Sequence, residues 1–128
     1  MEPDNNLKYF RIFPLGDGFE VWVGKHSEAN DLLSFKYTKQ NDLWFHVRGT
    51  SGSHTILKLP EEFDGIIPKE YIKTAAEICA FYSKAKNAKS VPVAYTEGRN
   101  VSKYKGAKSG SVVIKSEKVV KVQPQIPS

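Results

Sequence analysis

Two histidines, an aspartate, an arginine and a serine crowd into the stretch Asp42-Leu-Trp-Phe-His46-Val-Arg48-Gly-Thr-Ser-Gly52-Ser53-His54. Three chemistries use such residues. A pair of imidazoles beside a phosphate can serve as general acid and base in RNA cleavage, because histidine changes charge near neutral pH. The same histidines with Asp42 could ligate a metal. Or the cluster holds a turn and touches a ligand without reacting. Zinc needs three or four converging ligands, and a lone cysteine with a His-x7-His spacing meets that need poorly, so neither a metal nor a cofactor is expected. No third group is visibly placed to orient a histidine, so catalysis by His46 and His54 stands as the alternative to binding. Gly52 beside Ser53 also offers backbone N–H groups to a phosphate. His26 reads as a local cap or a surface residue.

A second constellation runs from Tyr95 through Arg99, Lys103, Tyr104, Lys105, Gly106 and Lys108 to Gly110. Lysine and arginine neutralise phosphates, tyrosine stacks on exposed bases, and glycine lets the backbone approach closely. The competing reading is a solvated loop with scattered charge.

The elements that must position these residues follow from periodicity. Lys8–Phe13 and Phe19–Val23, around the turn Pro14–Gly18, read as an N-terminal hairpin. A helix from Ser27 to Tyr37 follows, with Ser27 as its N-cap and Leu32, Leu33 and Phe35 as its apolar stripe. Leu43–Arg48 alternates, with Leu43, Phe45 and Val47 on one face and Trp44, His46 and Arg48 on the other. If Gly49–Gly52 is a four-residue turn to a strand over 53–57, then Arg48 faces Ser53, His46 faces Thr55 and Trp44 faces Leu57. That register sends His54 to the apolar face. A one-residue bulge at Gly49 or Gly52 brings it to the His46 face instead. The second helix runs from Pro68 to Lys86, with Ile72, Ala75, Ala76, Cys79, Ala80 and Ser83 as one narrow stripe of small residues that suits close packing on a sheet. Cys79 in that stripe reads as a buried structural residue. Val91–Tyr95 is a strand, 96–109 a basic loop, and 111–115 with 118–122 a final hairpin. The expected fold is α+β, a mostly antiparallel sheet built from hairpins with two main helices packed on it. Residues 8–123 form one domain, with 1–7 and 124–128 as flexible ends.

The chain has 128 residues, enough for one domain with its own core. No apolar run approaches the ~20 residues that span a bilayer, so no membrane partner is expected. Met1–Asn6 lacks the basic and apolar regions of a signal peptide, and Cys79 is the only cysteine, which fits a reducing cytoplasm. The net charge is +5, but residues 1–64 carry −3 and residues 65–128 carry +8. Such segregation suits a polyanion-facing surface, RNA or DNA.

These residues also resemble a family. Val23-Gly24-Lys25 with Glu28-Ala29-Asn30-Asp31, then Asp42-Leu-Trp-Phe-His46 with Gly52-Ser53-His54, then Ala75-Ala76 and Tyr82-Ser83, then Val101-x-Lys103 and Gly106-Ala107-Lys108-x-Gly110-x-Val112, are similar in kind and order to the blocks of the NFACT-R domain. That domain is the C-terminal RNA-binding module of NFACT proteins. The resemblance implies a nucleic-acid-binding module tied to ribosome quality control, which we read as non-enzymatic and RNA-binding. Its partners would be tRNA or ribosomal RNA, with the ribosome or a separate NFACT-type protein alongside. Together with the central cluster and the basic loop, the resemblance leads to expected nucleic-acid contacts from Lys25, Asn30, Asp42, Trp44, His46, Arg48, Ser53, His54, Arg99, Lys103, Lys105 and Lys108. Lys25 stands where arginine is common in the family; the charge is kept and the bidentate fork is lost.

Overall fold

The computed structural model of the chain describes residues 5–103, 106–108 and 111–127. Lys105, one of the expected contacts, lies outside them. Asn5–Tyr9, which spans the end of the expected loose leader and the expected start of the first strand at Lys8, forms a 3-10 turn, and near the other end Gln125 hydrogen-bonds Glu77 through both backbone and side chain.

β1 (Phe10–Gly16) and β2 (Phe19–Gly24) make the first hairpin. Its loop is tighter than the sequence suggests. Gly16 pairs with Phe19, and the two loop residues Asp17 and Gly18 have φ of 54° and 82°. Positive φ at both central positions is the Asp-Gly turn whose twist matches that of the strands. Pro14 is tolerated within β1 because β1 is an edge strand.

α1 (Ser27–Leu32) is shorter than expected, and Leu33–Tyr37 continues it as a π-turn. The N-cap is His26, not Ser27: its Nδ1 accepts the Ala29 N–H at 3.2 Å. The changed phase buries Leu33 and leaves Phe35 exposed.

β3 (Leu43–Val47), β4 (Thr55–Lys58), β5 (Val91–Glu97) and β8 (Lys118–Val122) complete an antiparallel sheet of order β1-β2-β4-β3-β5-β8. The expected final hairpin does not form. Residues 113–114 (β7) pair instead with β6 (Val101–Ser102) as a small separate ribbon inside what the sequence presents as a basic loop. β8 alone pairs with β5.

The alternation read in β3 places two cores on opposite faces of the sheet. Phe45, Val47, Val21, Leu57 and Val93 meet α2 (Lys69–Phe81), whose small residues Ala75, Ala76, Cys79 and Ala80 let it lie close. Burial pushes the Cys79 thiol up to about 12, so it stays an inert thiol at neutral pH. The other face holds Phe10, Trp44 and Ile56 against Ala29 and Leu33 of the α1 region and against Val101, Val112 and Ile114 of the ribbon. α2 stops at Phe81, short of the expected Lys86, because Tyr82 and Ser83 turn away to bond with Gly52 and Ser53. Among the described residues, no helix is long and apolar enough to cross a membrane.

Candidate nucleic-acid interface

The register of β3 on β4 decides where the histidines go. The observed pairs are Leu43–Leu57, Trp44–Ile56 and Phe45–Thr55, one residue off the four-residue-turn reading. The cause is distant in sequence. The Ser53 N–H donates to the Tyr82 carbonyl at 3.0 Å, and Gly52 bridges Ser83 so closely that an added Cβ would lie 2.7 Å from the Ser83 Cβ. The segment after Arg48 is thereby drawn toward the end of α2, and His54 turns to the His46 face. The two rings meet edge to face at 5.3 Å. The expectation that Gly52 and Ser53 present N–H groups to a phosphate is therefore corrected at Ser53, whose N–H is spent on the chain itself.

Four of the expected contact residues are buried and bonded within the fold. Trp44 is 1% exposed and donates its Nε1–H to Ser34 Oγ at 2.8 Å. Ser34 Oγ lies 2.9 Å from His54 Nδ1. An indole N–H only donates, so Ser34 accepts it and its own proton can pass to His54 Nδ1. His54 is 2% exposed. Asn30 Oδ1 accepts the His54 backbone N–H at 3.1 Å, and a side chain on Gly24 would overlap that same oxygen. Asp42 is 2% exposed. Its carboxylate accepts the Lys39 and Leu59 N–H groups and pairs with Lys58 Nζ at 2.7 Å. Asp42 is therefore committed away from the histidines and cannot join them as a metal ligand. Nor can His54, boxed in by Trp44, Ser34 and His46, reach a phosphate as half of an acid/base pair. Both histidines line a cleft, His46 is the more exposed of the two, and burial holds its pKa below the ordinary 6.5.

The sheet has two ends of opposite character. At one end lie the start of β1, Gly24, the 48–54 connection, the C-terminus of α2, the start of β5 and the end of β8. Lys25 and Arg48 sit there. So do Lys84, whose N–H bonds the Ser51 carbonyl, then Lys86 and Lys89. The ladder also aligns Arg48, Pro92 and Lys121 in one cross-strand row. The lysines that follow α2 face the negative pole of its dipole, which favours them there. Among the described residues, none of Arg48, Lys84, Lys86, Lys89 and Lys121 makes an ion pair. Lys84, Lys86, Lys89 and Lys121 were not among the contacts expected from the sequence; the charge run 84–89 was the visible signal.

The other expected cations are dispersed. Arg99 lies at the opposite end, roughly 13 Å along β3 at ~3.3 Å per residue. There it contacts Glu97 at 3.5 Å and the Asn41 side chain. Lys103 pairs with Asp31 at 2.6 Å on the outer side of α1, with Phe35 beneath it. Lys108 is exposed on the connection between β6 and β7. Lys25 lends its Nζ to the Lys8 carbonyl at 2.8 Å.

Known proteins are similar to this chain in sequence and in fold. The model of the family described as "NFACT protein RNA binding domain" matches residues 8–116. The protein named Rqc2 homolog RqcH from Bacillus subtilis strain 168 is 37% identical over 107 residues, which are 84% of this chain and 18% of that protein. Coiled-coil domain-containing protein 25 of Mus musculus is 30% identical over 106 residues, 81% of this chain and 50% of that protein. The chain thus spans about a fifth to a half of the relatives it matches. The solved C-terminal part of the fibronectin/fibrinogen-binding protein of Streptococcus suis superposes with a TM-score of 0.78 at 33% identity, over 91% of this chain and 45% of that one. The family blocks read in the sequence fall at the junctions just described, where Gly24, Asn30 and His54 lock together and Gly52 and Ser53 meet Tyr82 and Ser83. A fold, an order of blocks and a match over most of the chain thus agree, and the chain belongs to the NFACT protein RNA-binding domain family.

Proposed function

We propose that the chain binds RNA with the basic end of its sheet, through Lys25, Arg48, Lys84, Lys86, Lys89 and Lys121, with Lys103 and Lys108 extending the surface along the β6–β7 side. One observation carries the reading: a group of exposed cations without ion pairs at one end of the fold. Unpaired lysines and arginines release condensed counterions when they meet a phosphate backbone, and that release drives binding. Structured RNA, a tRNA or ribosomal RNA, is the target that the likeness to RqcH supports. The same likeness supports a place in ribosome-associated quality control in the cytoplasm, beside the ribosome or a separate NFACT-type protein. Residues 8–123 are the binding module, and the role is recognition rather than catalysis.

Filter binding of a tRNA transcript across a salt series tests this. Replacing Arg48 and Lys84 together by Ala should weaken binding and lower the slope of log K against log salt by roughly 0.7–0.9 per lost contact. Arg99→Ala should leave the slope unchanged. Equal slopes for wild type and the Arg48/Lys84 variant would move the interface elsewhere.

A further inference from the structure

At the basic end, between the sheet and the β6–β7 ribbon, lies a cleft of about 350 Å³. Trp44, His46, His54 and Ala94 line it from the sheet, Val112 and Ile114 from the ribbon side, and Arg48, Gly49 and Thr50 at the start of the 48–54 connection. A volume of this size falls at the lower end of the range for small-ligand pockets, ~300–1,000 Å³. Resting on the reading that this chain binds RNA, we propose that the cleft takes a single unpaired nucleobase, with the adjoining phosphate on Arg48.

Four features favour a base over a bare anion. Trp44, Val47, Ala94, Val112 and Ile114 give the cleft apolar and aromatic surface that suits a π-face. Glu117 also lines the cleft; a carboxylate repels a free anion but accepts from the exocyclic amino group of a base. The His46 ring lies nearly parallel to Trp44, at 19° and 6.0 Å, so the two rings begin a stack that a base can extend. Finally, no described residue hydrogen-bonds the His46 ring, whose contacts are with Trp44 and His54. Its lowered pKa keeps it neutral at neutral pH, with one nitrogen donating and the other accepting. Base edges offer the complementary pair, and only an unpaired base has its edge free. Arg48, exposed and without an ion pair, stands at the mouth where the sugar–phosphate backbone must pass.

The test uses three RNA hairpins that differ at one position: a fully paired stem, the stem with one bulged adenosine, and the same bulge carrying an abasic residue. The wild-type chain should bind the adenosine bulge about tenfold tighter than either of the others. With 2-aminopurine in place of the bulged adenine, its fluorescence should fall on binding. His46→Ala and Val112→Trp should each bring the adenosine bulge to the affinity of the abasic one, with thermal melts confirming a folded protein. Arg48→Ala should weaken all three RNAs. Equal binding of the adenosine and abasic bulges by the wild type, with unchanged 2-aminopurine emission, overturns the base cleft and leaves the proposed RNA binding intact. Failure of all three RNAs to bind overturns both.

Discussion

The two ends of the sheet use charge in opposite ways. At the end formed by Asp17-Gly18, the 38–42 loop, the segment after β4 and the end of β5, Asp42, Glu97 and Asp17 are met within the fold, while Glu61, Glu62 and Asp64 stay exposed. Asp42 holds Lys58 and two backbone N–H groups, Arg99 meets Glu97, and Asp17 accepts the Tyr71 hydroxyl at 3.0 Å. At the other end Arg48, Lys84, Lys86, Lys89 and Lys121 find no such partner among the described residues. The first end uses the carboxylates of Asp42, Glu97 and Asp17 to hold loops together. The second holds its own connection with backbone bonds and buried neutral groups and leaves its cations without ion pairs among the described residues. The polar cluster of the 42–54 stretch is split by the same division: Asp42 serves stability at one end, and His46 and Arg48 face solvent at the other.

Substitutions can break this division, and the largest effect should come from Asp42. Asp42→Ala leaves Lys58, 15% exposed, without its counter-ion and two backbone N–H groups without an acceptor. Removing one partner of a buried pair costs about 3–5 kcal/mol. Urea unfolding should show that loss, while the folded fraction keeps its RNA affinity; a loss of affinity without a loss of stability would place Asp42 in the interface after all.

Next in size are the changes at the junctions. Gly24→Ala drives a methyl group into Asn30, and Ala76→Leu overfills the contact of α2 with the sheet; each should cost about 1–3 kcal/mol in thermal or urea melts. A neutral Ala76→Leu would mean that α2 does not present this face.

The two histidines sharpen the comparison within one face. His54→Ala removes the hydrogen-bond partner of the buried Ser34 hydroxyl and should destabilise by about 1–3 kcal/mol. His46→Ala should change stability little and RNA binding more. Wild-type protein should leave RNA intact on gels at neutral pH; cleavage that vanishes in either variant would revive an acid/base pair.

The smallest effect expected is on pH. Burial lowers the His46 pKa in the folded chain, so the unfolded chain binds the proton first as pH falls. The stability tied to neutral His46 is whole above the ordinary 6.5 and declines as pH drops through and below that value. Urea midpoints between about pH 7.5 and about pH 5.5 should fall less steeply for His46→Gln than for wild type. Identical slopes would show that His46 does not contribute.

Local pattern carried much of this protein. The period-2 alternation of β3 assigned Leu43, Phe45 and Val47 to one core and Trp44 with His46 to the other face, because successive side chains of a strand must point apart. The small-residue stripe of α2 was legible for the corresponding helical reason, and the family blocks were legible because their glycines and polar residues sit where backbones touch. Periodicity could not give the partner of a strand. Val113–Ile114 has the same local character whether it pairs with β8 or with β6, and hydrophobic contacts on Trp44's side of the sheet select β6. Nor could it give register. The bonds from Ser53 and Lys84 across to Tyr82 and Ser51 shift β4 by one residue, and that single step moves His54 from one core to the other. The charge run near residue 99 looked like the interface because sequence records order, not position. Folding carries Arg99 to the acidic end and gathers Lys25 and Arg48 from the acidic half with Lys84, Lys86, Lys89 and Lys121 from the basic half. Side-chain type and spacing thus determined which faces are apolar and which family the chain belongs to. Long-range backbone hydrogen bonds and packing, which join residues some thirty positions apart, decided which charges stand together.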